Sequence, residues 1–281
     1  MNTTLSATTQ APSRGARFVR HPLVRIVLAL VAVVLAVTLT YAFAKAIAPK
    51  PARIIWPQLL ATASVLLTYI AYVRWAEKRA LVEFSRNGAL REFGAGCALG
   101  AGAVAAVVGV LFAAGAWHPA GLNPWSLAIA VPIAEDMFVG VFEEVLFRAI
   151  LFRILDQWLG GRVALLLSAV VFGLAHMPGE GVTALAIANT VVAGVMFAAA
   201  YMLTRRLWLC IGIHAAWNYT LGSIFSIAVS GHQGRAGLVN ATLTGPDWLT
   251  GGVYGLEASV LTLLVLTVMS AAFLWPRTGR S

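Results

Sequence analysis

The chain has 281 residues, of which 60% are hydrophobic and 11% are charged. An ordinary soluble domain has roughly 45–50% apolar and about 25% charged residues, so this composition excludes a typical water-soluble protein. The formal net charge is +9. Basic residues beside apolar spans set membrane orientation and meet anionic lipid headgroups, so the charge does not indicate a nucleic-acid partner.

The chain opens with a Ser/Thr/Ala-rich stretch, and we predict that residues 1–24 form a disordered cytoplasmic tail. The first apolar run covers 26–44 and ends in Ala-Phe-Ala, which is similar to a signal-peptide cleavage site. A signal peptide usually has an apolar region of about 7–15 residues, however, and this run is longer. We therefore predict a retained membrane helix.

Apolar runs recur along the rest of the chain. A membrane-crossing helix needs about 18 residues or more. Five charge-free runs reach this length: 26–44, 54–73, 93–117, 181–204 and 258–275. Three further apolar segments contain polar residues: about 124–158, 162–178 and 207–229. The sequence thus predicts an all-α, polytopic membrane bundle of about eight transmembrane helices, folded as one domain over 25–281.

Basic residues indicate how these spans are oriented. In chain order the eight predicted spans are 26–44, 54–73, 93–117, 124–158, 162–178, 181–204, 207–229 and 258–275. Basic residues cluster before the first span, after the second, around the turn between the fourth and fifth, after the sixth and at the end of the chain. Lys and Arg favour the cytoplasmic side, so both termini are expected in the cytoplasm. We expect a multi-pass protein of a cell membrane, namely the inner membrane of a bacterium. The segment from about 231 to 252 is rich in Gly, Thr and Asn and is typical of a solvated external loop.

Acidic residues are concentrated in one apolar segment. Four of the eleven lie within 124–158: Glu135, Asp136, Glu143 and Glu144. An ionisable group in a membrane helix is unfavourable unless it is paired or faces a cavity, so it indicates a functional site or a structural ion-pair network. Glu144 and Arg148 have the i, i+4 spacing of a same-face ion pair. Glu143 has no basic residue at i+3 or i+4, so its carboxylate is free to face another helix.

Two histidines lie in later apolar segments. His176 lies near the end of the segment 162–178. His214 lies in the segment 207–229, and Asn218 follows it by one helical turn. A lone histidine in an apolar helix is more often a packing residue than a catalyst. If the segments 124–158 and 162–178 form an antiparallel hairpin, however, Glu143 and His176 lie at the same depth, each about 24 Å from the turn that joins the two helices. His214 lies only about 13 Å from its own turn, so all three groups meet only if the hairpin projects beyond the lipid.

A carboxylate, two imidazoles and an amide suit peptide hydrolysis by an activated water molecule. In this interpretation Glu143, helped by His176, takes a proton from water, and His214 and Asn218 donate hydrogen bonds to the oxyanion. Ser168 lies near the face of His176, but the sequence shows no equally clear serine or cysteine nucleophile with an adjacent base.

The same side chains raise the question of a metal. Glu143, His176 and His214 could ligate zinc, since two His and one Glu form a common catalytic zinc site. The compact His-Glu-x-x-His pair of many zinc proteases is absent from the sequence, and each of the three residues comes from a different predicted helix. We therefore favour a reaction without a cofactor.

Three motifs follow one another on successive predicted helices. They are Glu-Glu-x-x-x-Arg at 143–148, Phe-x-x-x-His at 172–176 and His-x-x-x-Asn at 214–218. Over about residues 124–229, they resemble the motifs of the CAAX protease and bacteriocin-processing (CPBP, or Abi) family of intramembrane endopeptidases, which includes the Ras-converting CAAX endopeptidase. The resemblance implies an eight-helix bundle with a cavity open to the cytosol and its catalytic core in this segment.

The resemblance also implies roles for individual residues. Glu143 is the base, His176 is its partner, His214 and Asn218 form the oxyanion site, and Glu144 and Arg148 support them. The expected partners are the lipid bilayer and a membrane-associated peptide or protein substrate.

Two other functions remain open from the sequence. One is a non-catalytic membrane scaffold or bacteriocin-immunity protein that binds a peptide with the same polar residues. The other is a proton-coupled transporter, which Asp136 favours because it lies two turns before Glu143 on nearly the same face. No inverted repeat is evident, which disfavours a transporter. Glu135 and Asp136 are otherwise expected to line the mouth or interior of the cavity.

Overall fold

The computed structural model describes residues 21–275, which form a helical bundle with one small β-sheet. Most of the tail predicted for residues 1–24 lies outside the described residues, and the first helix already begins at Pro22. Proline is favoured at the first position of a helix because its missing N–H needs no partner there.

The described residues contain eleven α-helices and two β-strands. Their bounds are α1 (Pro22–Ile47), α2 (Trp56–Ala71), α3 (Ala89–Ala113), β1 (Trp117–Leu122), α4 (Leu127–Ala130), α5 (Pro132–Glu144), α6 (Arg153–Leu159), α7 (Gly161–Ala175), α8 (Ala184–Thr204), α9 (Trp208–Tyr219), β2 (Val239–Leu243), α10 (Asp247–Thr250) and α11 (Val260–Leu274). Wider π-helical turns extend α2 over Tyr72–Ala76, α5 over Val145–Phe152 and α9 over Thr220–Ile224.

Within residues 21–275, four helical segments are long and apolar enough to cross a membrane. They are Pro22–Ile47, Trp56–Ala76, Ala89–Ala113 and Ala184–Thr204, and Gly161–Ala175 and Val260–Leu274 are apolar but shorter. The long helices expose many large aliphatic side chains. Such a surface is suited to lipid rather than water. The mostly helical, membrane-type fold is thus as predicted, while the count of eight spans and their orientation stay predictions.

Helix α9 lies inside the bundle, packed between α3 and α5. Helix α8 packs against α7 and α11, and α2 packs against α1 and α5. Nearly all of α9 is buried, including His214 and Asn218. The neighbouring helices therefore shield the polar side chains of α9 from lipid, where an ionisable or polar group would be unfavourable.

The all-α prediction is wrong in one place. Strands β1 and β2 pair antiparallel, from Trp117 opposite Leu243 to Leu122 opposite Val239. The segment 231–252, predicted to be a solvated loop, therefore contains a strand and the short helix α10. Its sequence Val-Asn-Ala-Thr-Leu alternates apolar and polar residues, which is the period of a half-buried strand.

Glycines make the contact between α3 and α9. A Cβ atom added at Gly96 would lie 2.4 Å from the carbonyl oxygen of Leu209, and one added at Gly100 would lie 2.3 Å from that of Ile213. Small residues of this kind allow two membrane helices to approach backbone to backbone. The contact positions His214, which directly follows Ile213.

We expect Gly100→Ala to destabilise the protein by about 1–3 kcal/mol, because the added methyl group must push α9 away from α3. Gly102 and Gly109 of the same helix provide matched controls, since a Cβ atom at either meets nothing within 4 Å. Alanine at these two positions should be neutral or slightly stabilising, as alanine is the better helix former. Thermal unfolding in detergent measures the difference, and equal stability of all three variants would contradict the close approach.

An ion-pair cluster joins separate elements at one end of the bundle. Glu77, directly after the second long helix, binds Arg25 at 2.5 Å, Arg79 at 2.6 Å and Arg153 at 2.8 Å. Glu83 also binds Arg79 and Arg153. Burial by itself would raise the pKa of Glu77, but the three guanidinium groups, Arg153 foremost, outweigh burial and lower that pKa to about 2.

This pKa predicts a loss of stability in acid. Because the pKa of Glu77 is lower in the folded protein than its ordinary value of 4.5, its ion pairs stabilise the fold above that pH and cease to do so as the pH falls towards 2. We expect the free energy of unfolding to fall by about 2–3 kcal/mol over this window. Glu77→Gln should lack this part of the fall, whereas Glu180→Gln, at an exposed position, should follow the wild type. Unfolding midpoints at several pH values test this, and parallel profiles for Glu77→Gln and wild type would refute it.

Candidate active site

A cavity of about 660 Å³ lies among α5, α7, α8, α9 and the segment that follows α9. All four side chains predicted to be catalytic line it: Glu143, His176, His214 and Asn218. They come from three separate helical segments, so the fold brings together residues up to 75 positions apart, the span from Glu143 to Asn218. Glu135 and Asp136 line the same cavity, as expected.

Glu143 lies between the two histidine rings. Its Oε2 atom is 3.9 Å from Nε2 of His176 and 3.8 Å from Nε2 of His214. These distances are too long for direct hydrogen bonds. Oε2 is buried and has no hydrogen-bond partner among residues 21–275, whereas the side chain as a whole keeps 21% of its surface exposed. The carboxylate therefore faces both rings with one oxygen and the cavity with the rest of its surface.

His176 has a defined orientation at the end of α7. Its Nδ1 atom is 2.8 Å from the carbonyl oxygen of Phe172, one turn earlier. Because a carbonyl oxygen can only accept, Nδ1 carries the hydrogen and donates it. The other nitrogen, Nε2, is then the atom that faces Glu143. The Phe-x-x-x-His spacing thus allows the helix to orient its own histidine.

His214 is oriented by a carboxylate instead. Its Nδ1 atom is 2.9 Å from Oε1 of Glu144 and donates a hydrogen bond to it, and its ring stacks on Phe197. Glu143 lies 3.8 Å from the other ring nitrogen, so two carboxylates that are adjacent in sequence face opposite edges of the same imidazole. A carboxylate on the far side of a histidine sets the tautomer and stabilises the imidazolium form, as in the Ser-His-Asp arrangement.

The predicted ion pair between Glu144 and Arg148 forms inside the protein. The distance from Nη1 to Oε1 is 3.2 Å, and both side chains are almost fully buried. The guanidinium carbon of Arg148 lies 4.4 Å from the ring centre of Phe172 and 4.7 Å from that of Phe197. Because aromatic faces attract a cation, these rings help to compensate the buried charge. One continuous set of contacts therefore links all three sequence motifs.

Asn218 and Ser168 have different surroundings. Asn218 is buried in the cavity wall one turn beyond His214, and its side chain has no hydrogen-bond partner among the described residues. Its amide is thus free to bind a ligand in the cavity. Ser168 donates to the carbonyl oxygen of Leu165 and is not among the described residues that line the cavity. This position does not suit a nucleophile.

Asp136 is part of an ion pair that the sequence did not suggest. Arg235 donates to both of its carboxylate oxygens, at 2.8 and 3.0 Å, and lies 3.3 Å from Glu135. The segment after α9 is thereby attached to α5 at the cavity. Asp136 was the residue that favoured a transporter, and in the structure it has a partner that anchors this segment.

Sequence reasoning missed two charged residues of the cavity, Arg235 and Glu257. Arg235 lies in the segment that was interpreted as a solvated loop. Glu257 comes directly before the last apolar run, where an acidic residue resembles an ordinary helix boundary. A signal for Arg235 existed, since it is one of few basic residues that the charge pattern places on the external side.

The fit of a metal ion can be tested on the geometry. Among the residues that the structure describes, no group of three or more His, Cys, Asp or Glu side chains is arranged to hold one. The separations of 3.8 and 3.9 Å between Glu143 and the rings exceed the roughly 3.3 Å between ligand atoms around tetrahedral zinc with bonds of about 2.0 Å. Glu143, His176 and His214 would have to move closer together to bind the zinc ion of the metal-dependent alternative.

The fold and the site define a helical, membrane-type protein with a carboxylate and two histidines in an internal cavity. Residues 124–220 match the family model described as "Rce1-like: Type II CAAX prenyl endopeptidase Rce1-like". The match includes all three motifs and confirms the resemblance drawn from them. This family is a family of membrane-embedded proteases. No curated protein and no solved structure matches the chain significantly.

Proposed function

We propose that the protein is an intramembrane endopeptidase that hydrolyses a peptide bond of a membrane-associated protein or peptide. The observation that carries this proposal is the position of the Glu143 carboxylate between two imidazole rings in a cavity within the helical bundle. An ionisable group at such a place is expected to be functional, and the match of residues 124–220 to a protease family supports hydrolysis over transport.

Glu143 acts as the general base in this proposal. A water molecule on the cavity side of its carboxylate gives up a proton as its oxygen attacks the scissile carbonyl carbon. The same proton then passes from Glu143 to the nitrogen of the leaving amine, so the peptide C–N bond breaks and the base is regenerated. His176, whose Nε2 atom faces Glu143, shares the proton that the carboxylate takes up.

His214 and Asn218 stabilise the oxyanion that forms on the carbonyl oxygen. Nδ1 of His214 already donates to Glu144, so Nε2 can donate to the oxyanion only when the ring carries both protons. The carboxylates on its two edges stabilise that imidazolium. The Asn218 amide, one turn away and free of partners among the described residues, supplies the second donor. Donors aimed at developing charge in a site that excludes water contribute strongly to catalysis.

The remaining predictions complete the proposal. The bundle spans a cell membrane about eight times with both termini in the cytoplasm, and 124–229 forms its catalytic core. Glu144 and Arg148 support the site, and no cofactor takes part. A peptide-binding protein without catalytic activity, such as an immunity protein, is the alternative that the same cavity would serve.

The test is a cleavage assay on purified protein in proteoliposomes that contain a library of acylated peptides. We expect new peptide termini by mass spectrometry, with one ¹⁸O atom in each new carboxylate when the reaction runs in H₂¹⁸O. Treatment with 1,10-phenanthroline should leave the rate unchanged. Absence of new termini would favour the binding protein, and stoichiometric zinc that is lost together with activity would replace the metal-free mechanism.

A further inference from the structure

The cavity carries more acidic than basic side chains. Among the described residues, four carboxylates and one arginine line it. The arginine, Arg235, is already bound to Asp136 and lies beside Glu135. The other two carboxylates, Glu143 and Glu257, have no lysine or arginine within ion-pair distance in the described part of the chain. Glu143 belongs to the proposed reaction, so Glu257 is the charge left to explain.

Neutral donors hold the Glu257 carboxylate in place. Oε1 accepts a hydrogen bond of 3.0 Å from Nε1 of Trp217, and Oε2 accepts from the backbone N–H and the hydroxyl group of Ser230. These contacts occupy three of its roughly four acceptor positions and supply no positive charge. The side chain is therefore fixed, ionisable and uncompensated at the cavity wall.

Asn189 adds an unused acceptor beside it. The residue is 1% exposed and lines the cavity. Its Nδ2 group donates to the carbonyl oxygens of Glu257 and Ser259, at 2.8 Å each. With both hydrogens used there, Oδ1 is buried and has no partner among residues 21–275. A buried acceptor without a donor is unfavourable, so a ligand that brings a donor is favoured here.

We infer that Glu257 and Asn189 form a subsite for a positively charged group of the peptide substrate, a Lys or Arg side chain near the scissile bond. The inference rests on the proposed function, because it places this group in the cavity that holds Glu143. The subsite has acceptors to offer and no free donor, which matches an ammonium or guanidinium group and opposes an acidic one. In a site shielded from water, the attraction between opposite charges is stronger than at a surface.

The rest of the cavity limits where a charge can bind. Leu146, Met196 and Phe197 give the cavity apolar lining as well. A charged side chain placed there would lose its hydration without a partner, which is strongly unfavourable. Selectivity for a basic residue should therefore apply to one position of the substrate, with apolar residues preferred beside it.

The test compares two fluorescent, acylated decapeptides that differ only in one central residue, Lys or its neutral analogue norleucine. Binding is measured by anisotropy to the Glu143→Gln protein in zwitterionic nanodiscs, with the central residue moved along the peptide. At one position we expect about tenfold tighter binding of the Lys peptide. Glu257→Gln, added to the same protein, should remove the preference, and Glu180→Gln should keep it.

Equal affinities of the two peptides at every position would overturn the inference, and this comparison needs no Glu257 variant to fold. Cleavage of the same peptides by the wild type separates the two proposals. Charge-selective binding without cleavage would sustain the subsite and contradict the protease. Cleavage without charge selectivity would do the reverse.

Discussion

Glu143→Gln is expected to lower kcat for peptide cleavage by about 10³-fold or more. An amide cannot take the proton from the attacking water molecule, and loss of a general base typically reduces rates by about 10²–10⁴-fold. The substitution nearly preserves shape, and Oε2 of Glu143 has no hydrogen bond to lose among the described residues. The folded structure should therefore persist, with a thermal midpoint close to that of the wild type.

The matched control is Glu180→Gln, which makes the same chemical change at an exposed position outside the cavity lining. Both variants are compared with the wild type in proteoliposomes, by initial cleavage rate and by thermal unfolding. Glu143→Asp provides an intermediate variant. It keeps a carboxylate as the base, but the shorter side chain moves that carboxylate away from both imidazole rings. Wild-type rates in Glu143→Gln would remove this residue from the mechanism.

Arg148→Met is expected to destabilise the protein by about 3–5 kcal/mol and to abolish activity. The substitution leaves Glu144 as a buried charge without its arginine, and breaking a buried pair in this way is strongly unfavourable. It also removes the cation that lies over the rings of Phe172 and Phe197. Arg148→Lys should recover little, because a compact ammonium group cannot reproduce the contacts that the planar guanidinium makes with Glu144 and with both aromatic faces.

A double variant separates stability from function. Glu144→Gln combined with Arg148→Met removes both charges, so most of the lost stability should return. Activity should stay about 10²-fold or more below the wild type, because His214 no longer donates to a carboxylate that stabilises its imidazolium. Unfolding midpoints and kcat are measured on the same preparations. Recovery of both would show that the pair has no part in positioning His214.

The predictable parts of this site are those encoded by short spacing. The pair Glu144 and Arg148 follows from i, i+4 geometry, and the level of Glu143 with His176 follows from counting residues to a turn. The position of His214 was harder to predict. On straight helices with a rise of 1.5 Å per residue, its distance from the turn differs from that of Glu143 by about 10 Å. Residue counting treats every helix as straight and parallel, whereas α5 passes into a π-helical turn directly after Glu144.

Long-range contacts were not predictable from the sequence alone. Arg235 is 99 residues from Asp136 along the chain, and nothing in the local sequence of either indicates the other. The pairing of β1 with β2 likewise joins two segments more than a hundred residues apart. Arg235 and β2 both lie in the segment 231–252, which composition alone assigns to solvent. Composition describes the average surroundings of a segment, and it does not report which distant group compensates a particular charge.

The glycine contact between α3 and α9 has a consequence for the surrounding lipid. Helix α3 is one of the four long apolar helices, and long helices accommodate a thinner or thicker bilayer by tilting. Where two backbones touch, no flexible side chain absorbs such a tilt, so α9 must move with its neighbour. The acyl-chain length of the lipids should therefore change the position of the His214 imidazole. We expect peptide hydrolysis to be fastest in bilayers whose thickness leaves the tilt of α3 unchanged.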